Sequence, residues 1–279
     1  MSIIKVENKY GQKLNCIEDD EITLSIQKKG AHDVRTLDFV LDVLANIDCP
    51  VVLDIGANIG NHTLAFSIGA EKVYAFEAAP SIYKLLEKNV ADNGMTNVFI
   101  SNVALSDSAR EAKIFVQMDG NLGGSRLCKE ESNNYAEERT FLVRGDDFVH
   151  THGIENIDLM KIDVEGHEKQ VLEGLKASIK ANRPIIIMEY LNPQDDLLDG
   201  LKLERYKLFA ILDNYEKSKW KGVIGRVKRL RYKNEHERRL ELFPFNSLTA
   251  ARADDVLLVP EEKLNVIPAK YFTPHHAIR

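Results

Sequence analysis

The stretch Val51-Val52-Leu53-Asp54-Ile55-Gly56-Ala57-Asn58-Ile59-Gly60 decides the fold. Its first five residues lie between Pro50 and Gly56 and are too few for a typical helix, so they read as a buried strand that feeds a glycine turn. Gly56 and Gly60 allow the backbone to turn sharply and to approach a ligand at the end of that strand. Residues 61–68 then read as a short helix closed by Gly69, and residues 73–76 as a second strand. After Pro80, the spacing of Ile82, Leu85, Leu86 and Val90 marks an amphipathic helix that stops near Gly94.

Outward from this unit the alternation continues. Residues 98–100, 114–116, 157–162, 185–188, 206–212 and 255–259 read as strands, with a short extended segment at 141–143 and a long polar loop at 119–139. One helix is expected to carry Val171, Leu172, Leu175 and Ile179 on a single face. On the amino-terminal side, Ile22, Leu24 and Ile26 alternate as a half-buried strand would, and Leu37, Val40, Leu41, Leu44 and Ile47 follow helical spacing. Strands alternating with helices predict an α/β fold, a mostly parallel sheet covered on both faces. No linker supports a cut into equal halves. The expected organisation is an extension at 1–49 packed on the core and a domain at 50–279, with a basic insertion at 216–239 and a C-terminal covering segment.

Glu77 lies 21 positions after Gly56, at the end of the second strand. That is near the spacing of an acid that accepts hydrogen bonds from ribose hydroxyls, so a nucleoside-containing cofactor is expected. The run Gly-x-Gly-x-x-Gly is absent, which argues against a nicotinamide site. No Gly-Lys-Ser/Thr ending marks a phosphate loop either. Asp54 beside the turn would repel a diphosphate and instead suits an amine-bearing or sulfonium ligand. The competing reading is that Asp54 and Asn58 only cap the turn.

A second acidic cluster lies at Lys161-Ile162-Asp163-Val164-Glu165-Gly166 and Glu168. Asp163 and Glu165 share one side if the extended geometry persists, and Lys161 lies on the same side as an ion-pair partner. The three carboxylates can orient an acceptor hydroxyl, take its proton, bind a cation, or cap a helix. They leave metal dependence open. His62 and His167 flank the two motifs, and a lone histidine is more often a local hydrogen-bond partner.

These segments together resemble the FkbM-like family of S-adenosylmethionine-dependent methyltransferases. The likeness rests on 52–60, on Phe76-Glu77 followed by Pro80, and on 161–166 followed by Glu168, and it covers roughly residues 50 to 190. It implies a Rossmann-like class I methyltransferase fold, seven-stranded and mostly parallel with the last strand antiparallel. It also implies methyl transfer from S-adenosylmethionine, usually to an oxygen of a sugar, glycan precursor or secondary metabolite. By the same resemblance Asp54, Gly56, Asn58 and Gly60 surround the amino-acid part of the cofactor and Glu77 meets its ribose. Asn102 and Ala104 wall the adenine and residues 120–125 form an active-site loop, while Asp163, Glu165 and Glu168 are the candidate catalytic residues from the reading of the acidic cluster above. Ala78 stands where the family commonly has the first proline of Glu-Pro-x-Pro, which puts the local turn in doubt. N-methylation of a small molecule or protein, or a noncatalytic protein on the same fold, are the alternatives.

The 279 residues carry 37 Lys plus Arg against 43 Asp plus Glu, and the chain is 44% hydrophobic, which excludes wholesale disorder and a uniformly basic nucleic-acid binder. The charge is uneven. Residues 216–239 hold ten basic and three acidic side chains, a local +7 that leaves −13 elsewhere. That island suits a small hydroxylated or anionic acceptor better than nucleic acid, and a solvated excursion is the competing reading. Cys16, Cys49 and Cys128 form no Cys-x-x-Cys pair, and no run of about 20 apolar residues marks a membrane span. A cytoplasmic protein is expected.

Overall fold

The computed structural model describes residues 2–117, 122–127, 135–190, 205–213, 240–245 and 255–272. The chain divides into two compact units, Met1–Pro184 and Ile185–Arg279.

In the first unit, β1 (Ile3–Glu7) and β2 (Lys13–Ile17) form an antiparallel hairpin, followed by α1 (Glu21–Lys29) and α2 (Val34–Leu44). Next come β3 (Val51–Ile55), α3 (Asn61–Phe66), β4 (Lys72–Phe76), α4 (Pro80–Asp92) and β5 (Val98–Ser101). A smaller sheet contains β6 (Ala104–Ser106), β7 (Arg110–Gln117) and β8 (Tyr135–Arg144), in which β6 runs parallel and β7 antiparallel to β8. The unit closes with α5 (Gly145–Thr151), β9 (Ile157–Ile162), α6 (Glu168–Gly174) and α7 (Lys176–Asn182). Its main sheet is parallel, in the order β9-β3-β4-β5. Every residue of β3 is buried, as expected of a central strand covered on both faces.

The second unit holds β10 (Ile185–Glu189), β11 (Tyr206–Asp213), β12 (Leu240–Pro244) and β13 (Asp255–Pro260), in the order β12-β11-β13-β10. β13, the last strand, is antiparallel to both β10 and β11, as expected. β12, antiparallel to β11, is a strand beyond the expected seven. Ala210 and Leu212 pack with Phe243 and Phe245.

Three local expectations are corrected. The alternation at Ile22, Leu24 and Ile26 belongs to helix α1: Ile22 and Ile26 face inward one turn apart, while Leu24 is 50% exposed. Asp20 caps this helix through its side chain onto the Ile22 N–H, and Gly30 ends it at φ 85°. The single helix through Val171 and Ile179 is two, broken at Leu175. Gly174 lies so close to the Ser106 carbonyl that a Cβ there would stand 1.8 Å from the oxygen, and Asp146 caps α7 by accepting from the N–H groups of Ala177 and Ser178. The polar stretch expected as loop through 139 is already strand from Tyr135.

Residues of the amino-terminal segment enter the core. Leu14, Cys16, Ile22 and Ile26 pack with Ile59, Leu64, Ala79, Ile82, Leu85, Ile114 and Val116. Among the described residues, no helix is long and apolar enough to cross a membrane.

Candidate active site

The turn after β3 is held from three sides. The N–H groups of Gly56 and Ala57 both donate to the carbonyl of Phe76, at 3.0 and 2.9 Å. Asn89, fully buried in α4, donates its side-chain amide to the Ile59 carbonyl at 2.8 Å. Gly56 at φ 86° packs so tightly on the end of β9 that an added Cβ would stand 1.8 Å from the Asp163 carbonyl oxygen. Asn58 and Gly60 also have positive φ, 50° and 94°, a conformation asparagine tolerates better than most side chains.

Glu77 is the second fixed point, 6% exposed just beyond β4. Its Oε2 accepts the N–H of Asn58 at 2.9 Å and its Oε1 the N–H of Ala79 at 2.7 Å. Burial raises its pKa to about 7, against the lowering effect of those two bonds and with the Asp54 charge adding to the rise. The Ala79 bond spans the turn at Ala78, so the local path is held by the carboxylate. Asn102 donates its amide to the carbonyls of Glu77 and Ala78 at 2.8 and 3.3 Å. Ala104 is buried in β6, opposite Leu142.

Asp54 is fully buried. Its Oδ2 accepts the hydroxyl of Thr63 at 2.6 Å, while Oδ1 is buried with no hydrogen-bond partner. An ionised carboxylate out of water is strongly unfavourable unless something offsets its charge. An amine-bearing ligand seated on the adjacent turn would supply that charge. The orphaned oxygen, the tight glycine turn and the ribose-type acid therefore fit S-adenosylmethionine.

The acidic cluster sits against the same turn. The Asp163 N–H donates to the Ile55 carbonyl at 2.9 Å, tying the end of β9 to the end of β3. Lys161, side chain 7% exposed, reaches Asp163 Oδ2 at 2.7 Å. Burial pushes the Asp163 carboxyl up, but the Lys161 ammonium outweighs this and holds it below its ordinary value. Extended geometry does not persist to Glu165, because Glu165 and Gly166 adopt positive φ of 51° and 90°. Asp163 and Glu165 nevertheless bring carboxylate oxygens within 4.8 Å of each other, and Arg126 reaches Glu165 Oε2 at 3.2 Å. Lys161 and Arg126 thus each set a positive charge against one of these two carboxylates. Glu168 accepts the Gly166 N–H at 3.1 Å, and burial raises its pKa. It stabilises the turn leading into α6.

His167 faces Ser106, Nε2 to Oγ 3.0 Å, away from the acidic cluster in its bonding, and burial lowers its pKa. Of the expected loop at 120–125, Leu122–Gly124 form a 3-10 turn. Gly120 and Asn121, like the basic segment 216–239, lie outside the described residues.

Residues unmarked by the sequence motifs stand beside the glycine turn. Asn61 donates its amide to the His32 carbonyl at 2.9 Å and accepts the His32 N–H at 3.2 Å. Asp33 follows, with Oδ2 3.5 Å from His62 Nε2. An acid directly after a histidine carries no motif, and its partner is 29 positions away.

Residues 54–213, more than half the chain, match the family described as the methyltransferase FkbM domain. Methyltransferase sdnD of Sordaria araneosa is 32% identical over 159 residues, covering 45% of this chain and 60% of that protein. Hexuronic acid methyltransferase AglP of Haloferax volcanii is 28% identical over 157 residues, covering 55% and 63%. Methyltransferase 1 of Beauveria bassiana is 25% identical over 202 residues, covering 64% and 80%. The chain spans about three fifths of the length of the first two relatives.

Proposed function

Since this chain belongs to the methyltransferase FkbM family, we propose that it transfers a methyl group from S-adenosylmethionine to a hydroxyl oxygen of a small polyhydroxylated acceptor. The observation that carries this reading is Glu77, a buried carboxylate already bonded to the Asn58 N–H of the glycine turn. That bond supports a reading in which a ribose acceptor and an amino-acid cradle lie side by side. When bound, S-adenosylmethionine supplies an electrophilic methyl group on a sulfonium, a good leaving group that needs little protein chemistry beyond alignment.

The protein's part is placement. Asp54 offers its unpartnered oxygen to the ligand's ammonium, directly or through water, Gly56 and Gly60 admit the backbone approach, and Glu77 accepts from ribose hydroxyls. Asn102 keeps the Glu77 backbone in place, and Ala104 leaves room on the adenine side. Asp163, kept ionised by Lys161, orients the acceptor hydroxyl as a hydrogen-bond acceptor. Glu165 and Arg126 form the neighbouring wall, and Glu168 supports it. AglP, named for a hexuronic acid, favours an acid-bearing sugar as acceptor, and the +7 of residues 216–239 suits such an anion. Residues 1–49 are in this reading an extension of the methyltransferase domain.

Calorimetry with S-adenosylmethionine, followed by incubation of the protein with labelled cofactor and fractionated uronic-acid glycans, tests the proposal. The expected result is saturable cofactor binding and label on an oxygen of the glycan. Label on nitrogen, or no cofactor binding, would overturn it.

A further inference from the structure

The segment ahead of the family match, which begins at residue 54, supplies a charged partner to the first helix after the glycine turn. Asp33 occupies the N-cap position of α2 at φ 51°, a left-handed conformation that is unfavourable for a residue with a side chain. Its side chain makes no capping bond to a backbone N–H, though the Thr36 side chain in the first turn bonds to it. The carboxylate instead approaches His62 Nε2 at 3.5 Å, an ion-pair distance that a proton gained by the ring would tighten. The two-way bond between Asn61 and the His32 backbone clamps this turn onto α3 one residue before His62.

His62 is 9% exposed, and its Nε2 has no well-formed hydrogen bond. Its surroundings are charged on several sides. Asp33 and His32 come from the turn before α2, and Lys161 and Asp163 from the end of β9; the His62 charge lowers the Asp163 carboxyl and the His32 ring. Asp54 lies behind, bonded to the adjacent Thr63, and the Phe66 ring covers an apolar side with its centroid 5.7 Å away. The neighbouring carboxylates are committed elsewhere: Asp163 to Lys161, Glu165 to Arg126, Glu168 to the Gly166 N–H. An imidazole is the side chain whose ordinary basicity matches proton acceptance near neutral pH.

We propose that Asp33 and His62 form a dyad in which His62 takes the proton of the acceptor hydroxyl during methyl transfer. This rests on the methyltransferase reading above. The acceptor O–H bond breaks, and its proton forms an N–H bond at His62 Nδ1, the ring nitrogen that is not paired with Asp33. The electron pair stays on the oxygen, which bonds to the methyl carbon while the C–S bonding pair leaves with the sulfur. Asp33 balances the imidazolium across Nε2–H until the proton passes to solvent.

Nuclear magnetic resonance titration of the imidazole signals in cofactor-free protein tests the dyad without turnover, with His62→Gln identifying the His62 signal. In Asp33→Asn, a change that the left-handed turn tolerates, the His62 titration midpoint should fall by about one pH unit, because the negative partner is gone. An unchanged midpoint overturns the dyad. In the turnover assay, His62→Gln should lower kcat by about 100-fold with cofactor affinity within about twofold of wild type. Asp33→Asn should move the acidic limb of the kcat profile down with the titration midpoint. Wild-type kcat in folded His62→Gln, or an unmoved limb in Asp33→Asn, overturns the catalytic role. If His62→Gln does not fold, His32→Gln identifies the other imidazole that the Asp33 charge reaches, and the remaining signal that moves in Asp33→Asn and the kcat limb of that variant decide together. A wild-type protein that binds no S-adenosylmethionine would overturn the methyltransferase reading itself, while the cofactor-free titration still decides the dyad.

Discussion

The backbone N–H of Asn58 donates to Oε2 of Glu77 at 2.9 Å, so the glycine turn after β3 and the acid after β4 hold one another in place. Two parallel neighbours, paired from Val51↔Lys72 to Ile55↔Phe76, bring their carboxyl ends level, and the carboxylate closes the gap between the loops that follow. Glu77 is thereby fixed relative to the turn before any ligand arrives, which reduces the ordering that binding must supply if it receives the ribose as proposed.

Glu77 accordingly serves two ends, and substitution should separate them. Glu77→Ala leaves the N–H groups of Asn58 and Ala79 without their acceptor and should lower stability by about 2–4 kcal/mol, since each buried unsatisfied donor costs ~1–3 kcal/mol. Glu77→Gln keeps one acceptor oxygen but sets its NH2 against the other backbone N–H, and it loses the charge that strengthens bonds to ribose hydroxyls. It should lose about 1–3 kcal/mol of stability, less than Glu77→Ala, while calorimetry well below its melting temperature shows S-adenosylmethionine affinity reduced about tenfold or more. Equal affinity in Glu77→Gln would remove the ribose role.

The same carboxyl sets a pH dependence. Its pKa of about 7 in the folded protein lies above the ordinary 4.5, so the protonated form is favoured by folding. Its contribution to stability is therefore fully present below about pH 4.5 and is lost as pH rises through about 7. In the proposed ribose role, ligand binding runs the other way, because ribose hydroxyls would donate to the ionised form. Cofactor affinity should rise from pH 6 to pH 8, with proton release seen as a buffer-dependent binding enthalpy. Glu77→Gln should flatten this component, and a slope that persists in the variant would assign it to another group.

Gly56 and Gly166 offer a controlled comparison of close packing with backbone conformation. Both have φ near +90°, but a Cβ at Gly56 would collide with the Asp163 carbonyl, whereas nothing lies within 4 Å of one at Gly166. Gly166→Ala should cost about 1–2 kcal/mol from the left-handed conformation alone. Gly56→Ala should cost at least ~3 kcal/mol, since strand ends must move apart. Chemical denaturation of both variants checks this, and similar losses would show that β3 and β9 yield easily at this point.

The parts of this site that are legible in the sequence are those carried by local pattern. An apolar run bounded by Pro50 and Gly56, and an acid 21 positions beyond Gly56, suffice to place the turn and Glu77. The helix at 21–29 is obscured because Ile22, Leu24 and Ile26 fit period two, although Asp20 and Gly30 mark its ends. The break at Leu175 depends on how closely Gly174 meets the Ser106 carbonyl, a contact 68 positions apart that no local pattern encodes. Asp33 is hidden for the same reason, its significance resting on an unusual φ and a distant histidine. The pairing of Lys161 with Asp163, by contrast, follows from strand alternation.

That pair supports the final prediction. Lys161 is buried and Asp163 is partly open, with side chains 7% and 42% exposed, so the ammonium depends on the carboxylate more than the reverse. Asp163→Asn should therefore destabilise the protein by about 1–3 kcal/mol, less than a fully buried pair because water screens the exposed partner. Removing both charges in Asp163→Asn with Lys161→Met should be less damaging than the sum of the single changes by about 1–2 kcal/mol. The sign in pH follows from the lowered Asp163 pKa: its stabilisation is present above the ordinary carboxyl value of 3.8 and is lost as pH falls through the lower folded value. The stability gap between wild type and Asp163→Asn should stay level from about pH 5 to 8 and close in more acidic solution. Additive single and double variants would mean that the two side chains, 2.7 Å apart, are energetically independent, and Asp163 would then owe its ionisation to another neighbour.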